Sequence, residues 1–135
     1  MITAVDSNVL LDVLNDRQEF GGVSSAALRR CTAEGALVAS EVVWAEVGSF
    51  FVDPREFEAA MDLLNVVFVP IERTAAVAAG SAAKRYRERD GLKDRIVADF
   101  LIGAHALHHA DRLLTRDRGF YRGYFEGLPV LDPTD

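Results

Sequence analysis

The sequence has one cysteine, Cys31, so it cannot form a disulfide within the chain. The 135 residues are 50% hydrophobic and 27% charged, which is the composition of a globular domain that folds without disulfides. Cys31 lies in a stretch of helical periodicity, which predicts a small, buried apolar side chain. The length is that of one domain, so we expect residues 1–135 to form a single unit in a reducing compartment.

Long apolar runs are missing, and so is a basic leader before an apolar stretch at the N-terminus. A membrane-spanning helix needs about 20 consecutive apolar residues. A secretion signal needs a charged leader followed by a shorter apolar segment. We therefore expect a soluble protein of the cytoplasm.

A surplus of positive charge is also missing. The chain has 15 Lys and Arg residues against 21 Asp and Glu residues, which gives a net charge of -6. Proteins that bind nucleic acid regardless of sequence usually carry excess positive charge, because release of cations from the phosphates drives their binding. The composition therefore argues against broad nucleic-acid binding, and a nucleic-acid substrate would need a local basic surface.

Short β-branched and aromatic runs alternate with longer segments of helical periodicity. The runs predicted as strands are 2–5, 37–39, 66–71, 112–115 and 129–131. The segments predicted as helices are 9–14, 24–33, 41–51, 54–64, 74–89 and 94–109, with a break at Asp90-Gly91. Strands separated by helices rather than by hairpin turns predict an α/β sandwich with a largely parallel sheet. The run 66–71 is continuous, which predicts a strand covered on both faces.

Several residues predict helix ends. Gly35 ends the second helix, Ser40 and Thr74 are N-caps, and Asp53 is an N-cap followed by Pro54 in the first helical position. These residues place helix boundaries independently of the periodicity.

Four acidic residues lie at positions that point to a functional site, either directly after a predicted strand or inside an apolar predicted helix. In parallel α/β sheets, ligands bind beyond the carboxyl ends of the strands. Asp6 directly follows the first strand, and Asp117 comes two residues after the run 113–115. Asp99 lies in a nearly all-apolar helix, and Glu46 lies among valine, alanine and tryptophan. Buried acids are usually paired with a base or bound to a metal, and no Lys or Arg on these segments is an obvious partner of both.

Convergence of these four acids would bring like charges together and raise their pKa values. A divalent cation removes that conflict, and all-oxygen ligands favour Mg²⁺ or Mn²⁺, which bind substrate phosphates beside a few carboxylates. Such a metal activates a bound water and stabilises charge in the transition state, while an acid can accept the proton. The acids therefore predict metal-dependent hydrolysis of a phosphodiester.

Three segments resemble the hallmark motifs of PIN-domain nucleases. They are VDSNVLLD at 5–12, ADFLIGAHA at 98–106 and LLTRDRGFY at 113–121. Within that family the chain most resembles the VapC toxins of toxin-antitoxin systems. The likeness spans nearly the whole chain, because an acid in the second quarter, Glu46, completes the ordered set of motifs.

The resemblance implies that Asp6, Glu46, Asp99 and Asp117 are the catalytic, metal-binding acids, and that Ser7 and Thr115 support them. It also implies a PIN-like three-layer α/β/α sandwich with a mostly parallel central sheet. The activity it implies is Mg²⁺- or Mn²⁺-dependent endonucleolytic cleavage of RNA. It further implies a homodimer and a cognate antitoxin that blocks the site. All four acids are present, which argues against a non-catalytic member.

Other residues near the motifs have simpler interpretations. Asp6 could merely cap the first helix, and we expect Asp12 to face solvent or brace the turn. Asp94 is about 140° from Asp99 around the helix axis, and we interpret it as structural. The histidines at 105, 108 and 109 suggest zinc, but no cysteine or second histidine pair accompanies them, so we do not expect a zinc site.

The run from Lys84 to Arg95 is basic, so it supplies local positive charge in a chain whose net charge is negative. Its simpler interpretation is a solvated helix face, and the alternative is a surface that contacts RNA phosphates. The residues predicted to contact RNA are Arg85, Arg87, Arg89, Lys93, Arg116 and Arg118. The aromatic residues within 120–125 could stack on bases, but core packing is the favoured interpretation.

Two other functions compete with the nuclease interpretation. One is a non-catalytic RNA-binding or protein-interaction module on the same fold, which the four intact acids disfavour. The other is a phosphatase or phosphotransferase with a nucleophilic Asp after the first strand. Such enzymes have a second Asp two residues later, where this chain has Asn8. Apolar residues within 44–51 and 61–64 are candidates for a dimer interface, although core packing would use them equally well.

Overall fold

The computed structural model of the chain describes residues 1–15, 18–90, 95 and 97–135. The strands are β1 (Ile2–Val5), β2 (Ala36–Ala39), β3 (Val66–Phe68), β4 (Arg112–Leu114) and β5 (Val130–Leu131). The helices are α1 (Ser7–Leu14), α2 (Gln18–Glu34), α3 (Glu41–Gly48), α4 (Pro54–Leu63), α5 (Arg73–Asp90), α6 (Val97–His109) and α7 (Arg118–Tyr124). Within these residues, no helix combines the length and the apolar character needed to cross a membrane.

The strands form one sheet in the order β3-β2-β1-β4-β5, and every pairing between them is parallel. From β1 the chain first adds strands on one side, and after β3 it returns to add β4 and β5 on the other. The strand order therefore reverses between β1 and β4, which is the point where open parallel sheets bind ligands. With helices packed on the sheet, this arrangement confirms the predicted three-layer α/β/α sandwich.

The core lies on the three central strands. Val5, Leu37, Leu113 and Leu114 are each at most 1% exposed, as expected for strands covered by helices on both faces. α5 packs along α6, and α1 packs along α2. Gly103 permits close packing of α6, because an added Cβ there would overlap the ring of Phe125.

Three predicted elements differ from the structure and one helix was not predicted. α3 ends at Gly48, three residues before the predicted end. β3 ends at Phe68 and is an edge strand with Val67 and Phe68 exposed, so the prediction of a strand over 66–71 covered on both faces was wrong. α2 begins at Gln18, six residues before the predicted start. α7 was not predicted, since Gly119 and Gly123 lower the helical propensity of that segment.

The predicted caps are mostly confirmed. Ser40 accepts the N–H of Val43, and Asp53 accepts the N–H of Arg55 at 2.9 Å. The N-cap predicted at Thr74 was wrong, because α5 already begins at Arg73. α6 begins at Val97, whereas Gly91 and Asp94, at the predicted break and helix start, lie outside the described residues.

Candidate active site

The carboxyl ends of β1 and β4 bring Asp6 and Thr115 side by side. The register pairs Val5 with Leu114, and the N–H of Asp6 donates to the carbonyl of Leu114 at 3.0 Å. The hydroxyl of Thr115 donates to Oδ2 of Asp6 at 2.7 Å. The backbone of two adjacent parallel strands therefore positions this pair of side chains at the reversal point of the sheet.

Asp6 is also the N-cap of α1, because its Oδ1 accepts the N–H of Ser7 at 2.7 Å. Asn8 lies next to this cap, with Nδ2 3.3 Å from Oδ2 of Asp6 and 3.3 Å from Oγ1 of Thr115. Its Oδ1 accepts the N–H of Arg116 at 3.2 Å. Asn8 thus joins the two strand ends, a role that the sequence analysis missed. Its place in the first turn of a helix that begins at a strand end was the available signal.

Glu46 approaches Asp6 from α3. The hydroxyl of Ser7 donates to Oε1 of Glu46 at 2.6 Å, while the N–H of the same serine bonds Asp6. The side chain of Glu46 is half-buried, and its negative charge acts on Asp6. The structure therefore brings Glu46 and Asp6 together, with Ser7 between them.

Burial raises the pKa of Asp6 from 3.8 to about 6, because the carboxylate loses its hydration. Hydrogen bonds from Thr115, Ser7 and Tyr121 oppose this rise, and the charge of Glu46 adds to it. Asp6 is 6% exposed, so little water is present to offset the burial. The ionised form of Asp6 is therefore costly in this place unless a positive charge accompanies it.

Asp117 lies on the other side of Thr115, and Asp99 acts on the same arginine as Asp117. The N–H of Asp117 donates to Oγ1 of Thr115 at 3.0 Å, and its Oδ2 lies 2.5 Å from Nη1 of Arg95. Asp99 is half-buried in the first turn of α6. The hydrogen bond with Asp117 is the main cause of a raised pKa of Arg95, and the charge of Asp99 adds to it. Arg95 therefore lies within the field of both acids.

The ring of Tyr121 lies near three of the four acids. Burial raises the pKa of its hydroxyl, and the charges of Asp6, Asp99 and Asp117 raise it further. The hydroxyl also hydrogen-bonds Asp6, while the side chain is only 1% exposed. Core packing of Tyr121 is confirmed, but its hydroxyl also lies near Asp6, Asp99 and Asp117. The sequence offered one indication of this second role, because Tyr121 comes one helical turn after Asp117.

The chemistry of these donors fits a hard cation, because all four are carboxylates and Mg²⁺ and Mn²⁺ prefer oxygen ligands. In the described part of the chain, no three His, Cys, Asp or Glu side chains lie close enough together to hold one metal ion. The cation that the structure places beside Asp117 is the guanidinium of Arg95. The metal-binding role of the four acids accordingly stays a prediction.

A family model of the PIN domain matches residues 3–126. The chain belongs to the PIN domain family. The matched range contains Asp6, Glu46, Asp99, Asp117 and Thr115. Membership in the family confirms the resemblance seen in the sequence motifs.

Solved structures of similar fold include chains of VapBC and FitAB complexes. VapBC2 from Rickettsia felis, bound to a DNA fragment from its promoter, has a chain with a TM-score of 0.74 and 19% identity, and the match covers 98% of each chain. VapBC-1 from nontypeable Haemophilus influenzae gives 0.73 and 21%, covering 100% of each chain. FitAcB from Neisseria gonorrhoeae gives 0.68 and 21%, covering 99% of each chain. At this identity the likeness supports the fold. No curated relative matches the chain by sequence.

Arg116, predicted to contact RNA, is partly exposed and bonds other side chains of this PIN domain. Its Nε and Nη2 donate to Asp12 at 2.7 and 2.9 Å, and its Cζ lies 3.9 Å from the ring centroid of Phe20. Asp12 is fully buried and also accepts the hydroxyl of Ser24 at 2.7 Å. Of the two roles considered for Asp12, facing solvent was wrong. The pair braces the chain beside Asn8, since the N–H of Arg116 bonds that residue.

The remaining arginines predicted to contact RNA lie at the surface of the domain. Arg118 pairs with Asp135 and, at 3.8 Å, with Asp132. The others that the structure describes, all exposed on α5, are Arg85, Arg87 and Arg89. Lys93 lies outside the described residues. RNA contact by these residues stays a prediction.

Two of the histidines join α6 to the chain after β3. The Nε2 of His105, which is 2% exposed, lies 2.8 Å from the carbonyl of Val69. His109 accepts the N–H of Glu72 at 3.3 Å, and the two imidazole rings are 5.0 Å apart. Burial lowers the pKa of His105. Both rings therefore have structural contacts on a face of α6 that packs against this segment.

Proposed function

We propose that this PIN domain is a Mg²⁺- or Mn²⁺-dependent endoribonuclease that hydrolyses RNA phosphodiesters. One observation carries the proposal: the buried carboxyl group of Asp6, with its raised pKa, lies at the reversal point of the sheet beside Glu46. The hydroxyl of Tyr121 bonds Asp6 within the field of Asp99 and Asp117. This concentration of negative charge is what a divalent cation would neutralise.

In this proposal Asp6, Glu46, Asp99 and Asp117 hold the metal, which supplies positive charge to the phosphate and activates a water when bound. Thr115 bonds both the carboxylate of Asp6 and the backbone of Asp117, so it sets the separation of these two acids. Ser7 does the same for Asp6 and Glu46 on the other side. These neutral donors orient the carboxylates without competing with the metal for their charge.

Exposed arginines on α5 are suited to contact the RNA backbone. Arg85 donates to the carbonyl of Tyr124 at 3.5 Å, and Cζ of Arg89 lies 5.5 Å from the ring centroid of the same tyrosine. They therefore lie next to the last residue of α7, the helix whose N-cap is Asp117. With Arg87, Lys93 and Arg118 they would supply the local positive charge that the acidic chain otherwise lacks.

The proposal includes a role as the toxin of a VapBC-type pair in the cytoplasm, with a cognate antitoxin as partner. Support comes from the fold neighbours, which belong to VapBC and FitAB complexes. An apolar groove of about 440 Å³ between α2 and the end of α4, lined in part by Leu28 and Leu63, offers a surface to such a partner. Phe50, 54% exposed, is available to a homodimer contact, whereas Met61 is fully buried in the core.

The experiment that tests the activity is cleavage of a mixed RNA pool by the purified chain with Mg²⁺, with Mn²⁺ and with a chelator. We expect metal-dependent cutting by the wild type and loss of at least about 100-fold in Asp6→Asn, since even residues behind metal ligands contribute 10- to 100-fold. Asp62→Asn, an exposed acid on α4, is the matched control. Equal behaviour of wild type and Asp6→Asn under all three conditions would favour a non-catalytic RNA-binding or interaction module.

A further inference from the structure

Arg95 occupies a defined place beside the acids. Its Nη1 lies 2.5 Å from Oδ2 of Asp117, and its Cζ lies 4.3 Å from the ring centroid of Phe120. Its side chain is 28% exposed, so most of it is covered by protein. A guanidinium stacked on an aromatic ring and bonded to a carboxylate is held on two sides. Arg95 therefore differs from a solvated arginine on a helix face.

The positive charge of Arg95 interacts with two of the acids that are proposed to bind the metal, Asp117 and Asp99. Its guanidinium donates to Oδ2 of Asp117 at 2.5 Å, and the negative charge of Asp99 also acts on it. Arginine cannot lose its proton in the physiological range, so its positive charge is permanent. Asp99 and Asp117 thus share a cation that belongs to the chain itself.

We propose that Arg95 is an internal counter-cation that holds Asp117 when no metal is bound and competes with the divalent metal for that carboxylate. This inference rests on the proposed function, because it takes Asp117 as a metal-binding acid. Arg95 then regulates the site: it stabilises the metal-free chain and weakens its apparent affinity for metal. Metal binding must displace the guanidinium from Oδ2 of Asp117 or share the carboxylate with it.

The competition follows from charge and linkage. Two cations that stabilise the same carboxylate each weaken the other's binding, because the second finds less negative charge to neutralise. Coupling of this kind typically changes an affinity by 5- to 150-fold, and it acts equally in both directions. Removing Arg95 should therefore tighten metal binding and at the same time destabilise the metal-free chain.

The test is Mn²⁺ binding to the full chain, measured by the electron paramagnetic resonance signal of the free ion, together with the melting temperature with and without Mn²⁺. The variants are Arg95→Gln, Arg95→Lys and Asp117→Asn. The matched control is Arg73→Gln, which removes an exposed arginine of α5 that has no proposed role. We expect Arg95→Gln to bind Mn²⁺ about tenfold more tightly than wild type and to melt at a lower temperature without metal.

We expect Arg95→Lys to fall between wild type and Arg95→Gln, because lysine keeps the charge but not the planar fork. It also keeps the test informative if Arg95→Gln does not fold. If both Arg95 variants bind Mn²⁺ as wild type does or more weakly, and Asp117→Asn still loses binding, the competition proposed for Arg95 is wrong. Asp117 then remains a metal-binding acid. Mn²⁺ binding that is equal in wild type and Asp117→Asn instead removes Asp117 from the metal site, and the competition fails with it.

Discussion

The candidate site has two halves that are held together by different forces. The Asp6 half consists of Asp6, Ser7, Asn8, Glu46 and Thr115, and neutral hydroxyl, amide and backbone donors fix its carboxylates. The Asp117 half consists of Asp99, Asp117 and Arg95, and an ion pair holds it. Asp6 is 6% exposed, whereas the side chain of Asp117 is 36% exposed.

This difference separates a preformed half from an adjustable one. The Asp6 half is built on two paired strands and on the first turn of α1, so moving it would disrupt the sheet. In the Asp117 half, a half-exposed ion pair holds the carboxylate of Asp117, and salt or a competing cation can weaken it. We therefore expect substitutions to act on the Asp6 half mainly through stability and on the Asp117 half through cation binding.

The largest effect should come from the brace behind the Asp6 half. Arg116→Gln leaves the fully buried carboxylate of Asp12 without its cation; among the residues that the structure describes, the hydroxyl of Ser24 still donates to it. Removing one partner of a buried ion pair typically costs 3–5 kcal/mol, so we expect the free energy of unfolding to fall by about that amount. Urea denaturation at neutral pH measures it.

A matched control is Arg30→Gln, which removes an exposed i, i+4 pair with Glu34. We expect a change of about 0.5 kcal/mol there, as is usual for such pairs on helix surfaces. If Arg116→Gln were as mild as Arg30→Gln, the pair with Asp12 would not brace the Asp6 half.

The second effect is a pH dependence of stability in the metal-free chain. The pKa of Asp6 is raised from 3.8 to about 6, so the folded state holds the proton more tightly than the unfolded state. The free energy of unfolding therefore falls as the pH rises from about 4 to 6, by about 3 kcal/mol for a pKa higher by about 2. Asp6→Asn has no charge to bury, so it should be more stable than wild type at pH 7.5 and lose this advantage by pH 4.

Denaturation in the presence of a chelator across this pH range provides the measurement, and Asp62→Asn is again the exposed control. A constant difference between Asp6→Asn and wild type from pH 4 to 7.5 would contradict the burial of an ionisable group at this position. The Asp6 half would then be less desolvated than its 6% exposure indicates.

The parts of the site that follow from strands could be predicted from the sequence, and those that depend on tertiary contacts could not. Asp6 and Asp117 follow apolar runs, and a parallel sheet brings such positions to one edge. By contrast, Asp12 and Arg116 are 104 residues apart, and no local pattern pairs them. Arg95 was seen only as part of a basic run, because the ring of Phe120 and the carboxylate of Asp117 reach it only in the folded chain.

The errors in the predicted fold have a similar cause. An apolar β-branched run predicts a strand, but whether that strand is central or at the edge depends on the order of strands, which the run itself does not encode. In the folded chain β3 lies at the edge of the sheet, and Val67 and Phe68 are exposed. α7 contains two glycines, yet Phe120 and Tyr121 are buried against the core and stabilise it as a helix.

The smallest effect tests the two halves directly through their dependence on salt. Double-mutant cycles of Arg95→Gln with Asp117→Asn, and of Thr115→Val with Asp6→Ala, give one coupling free energy for each half. We expect about 1 kcal/mol for the half-exposed ion pair at low salt and less than half of that at 1 M salt, where the Debye length is about 3 Å. The coupling of Thr115 with Asp6 should be about 1.5–3 kcal/mol and independent of salt, because its donor is neutral and the bond is buried. Equal salt dependence in both cycles would mean that the two halves are held by the same kind of force, and the distinction between a preformed and an adjustable half would fall.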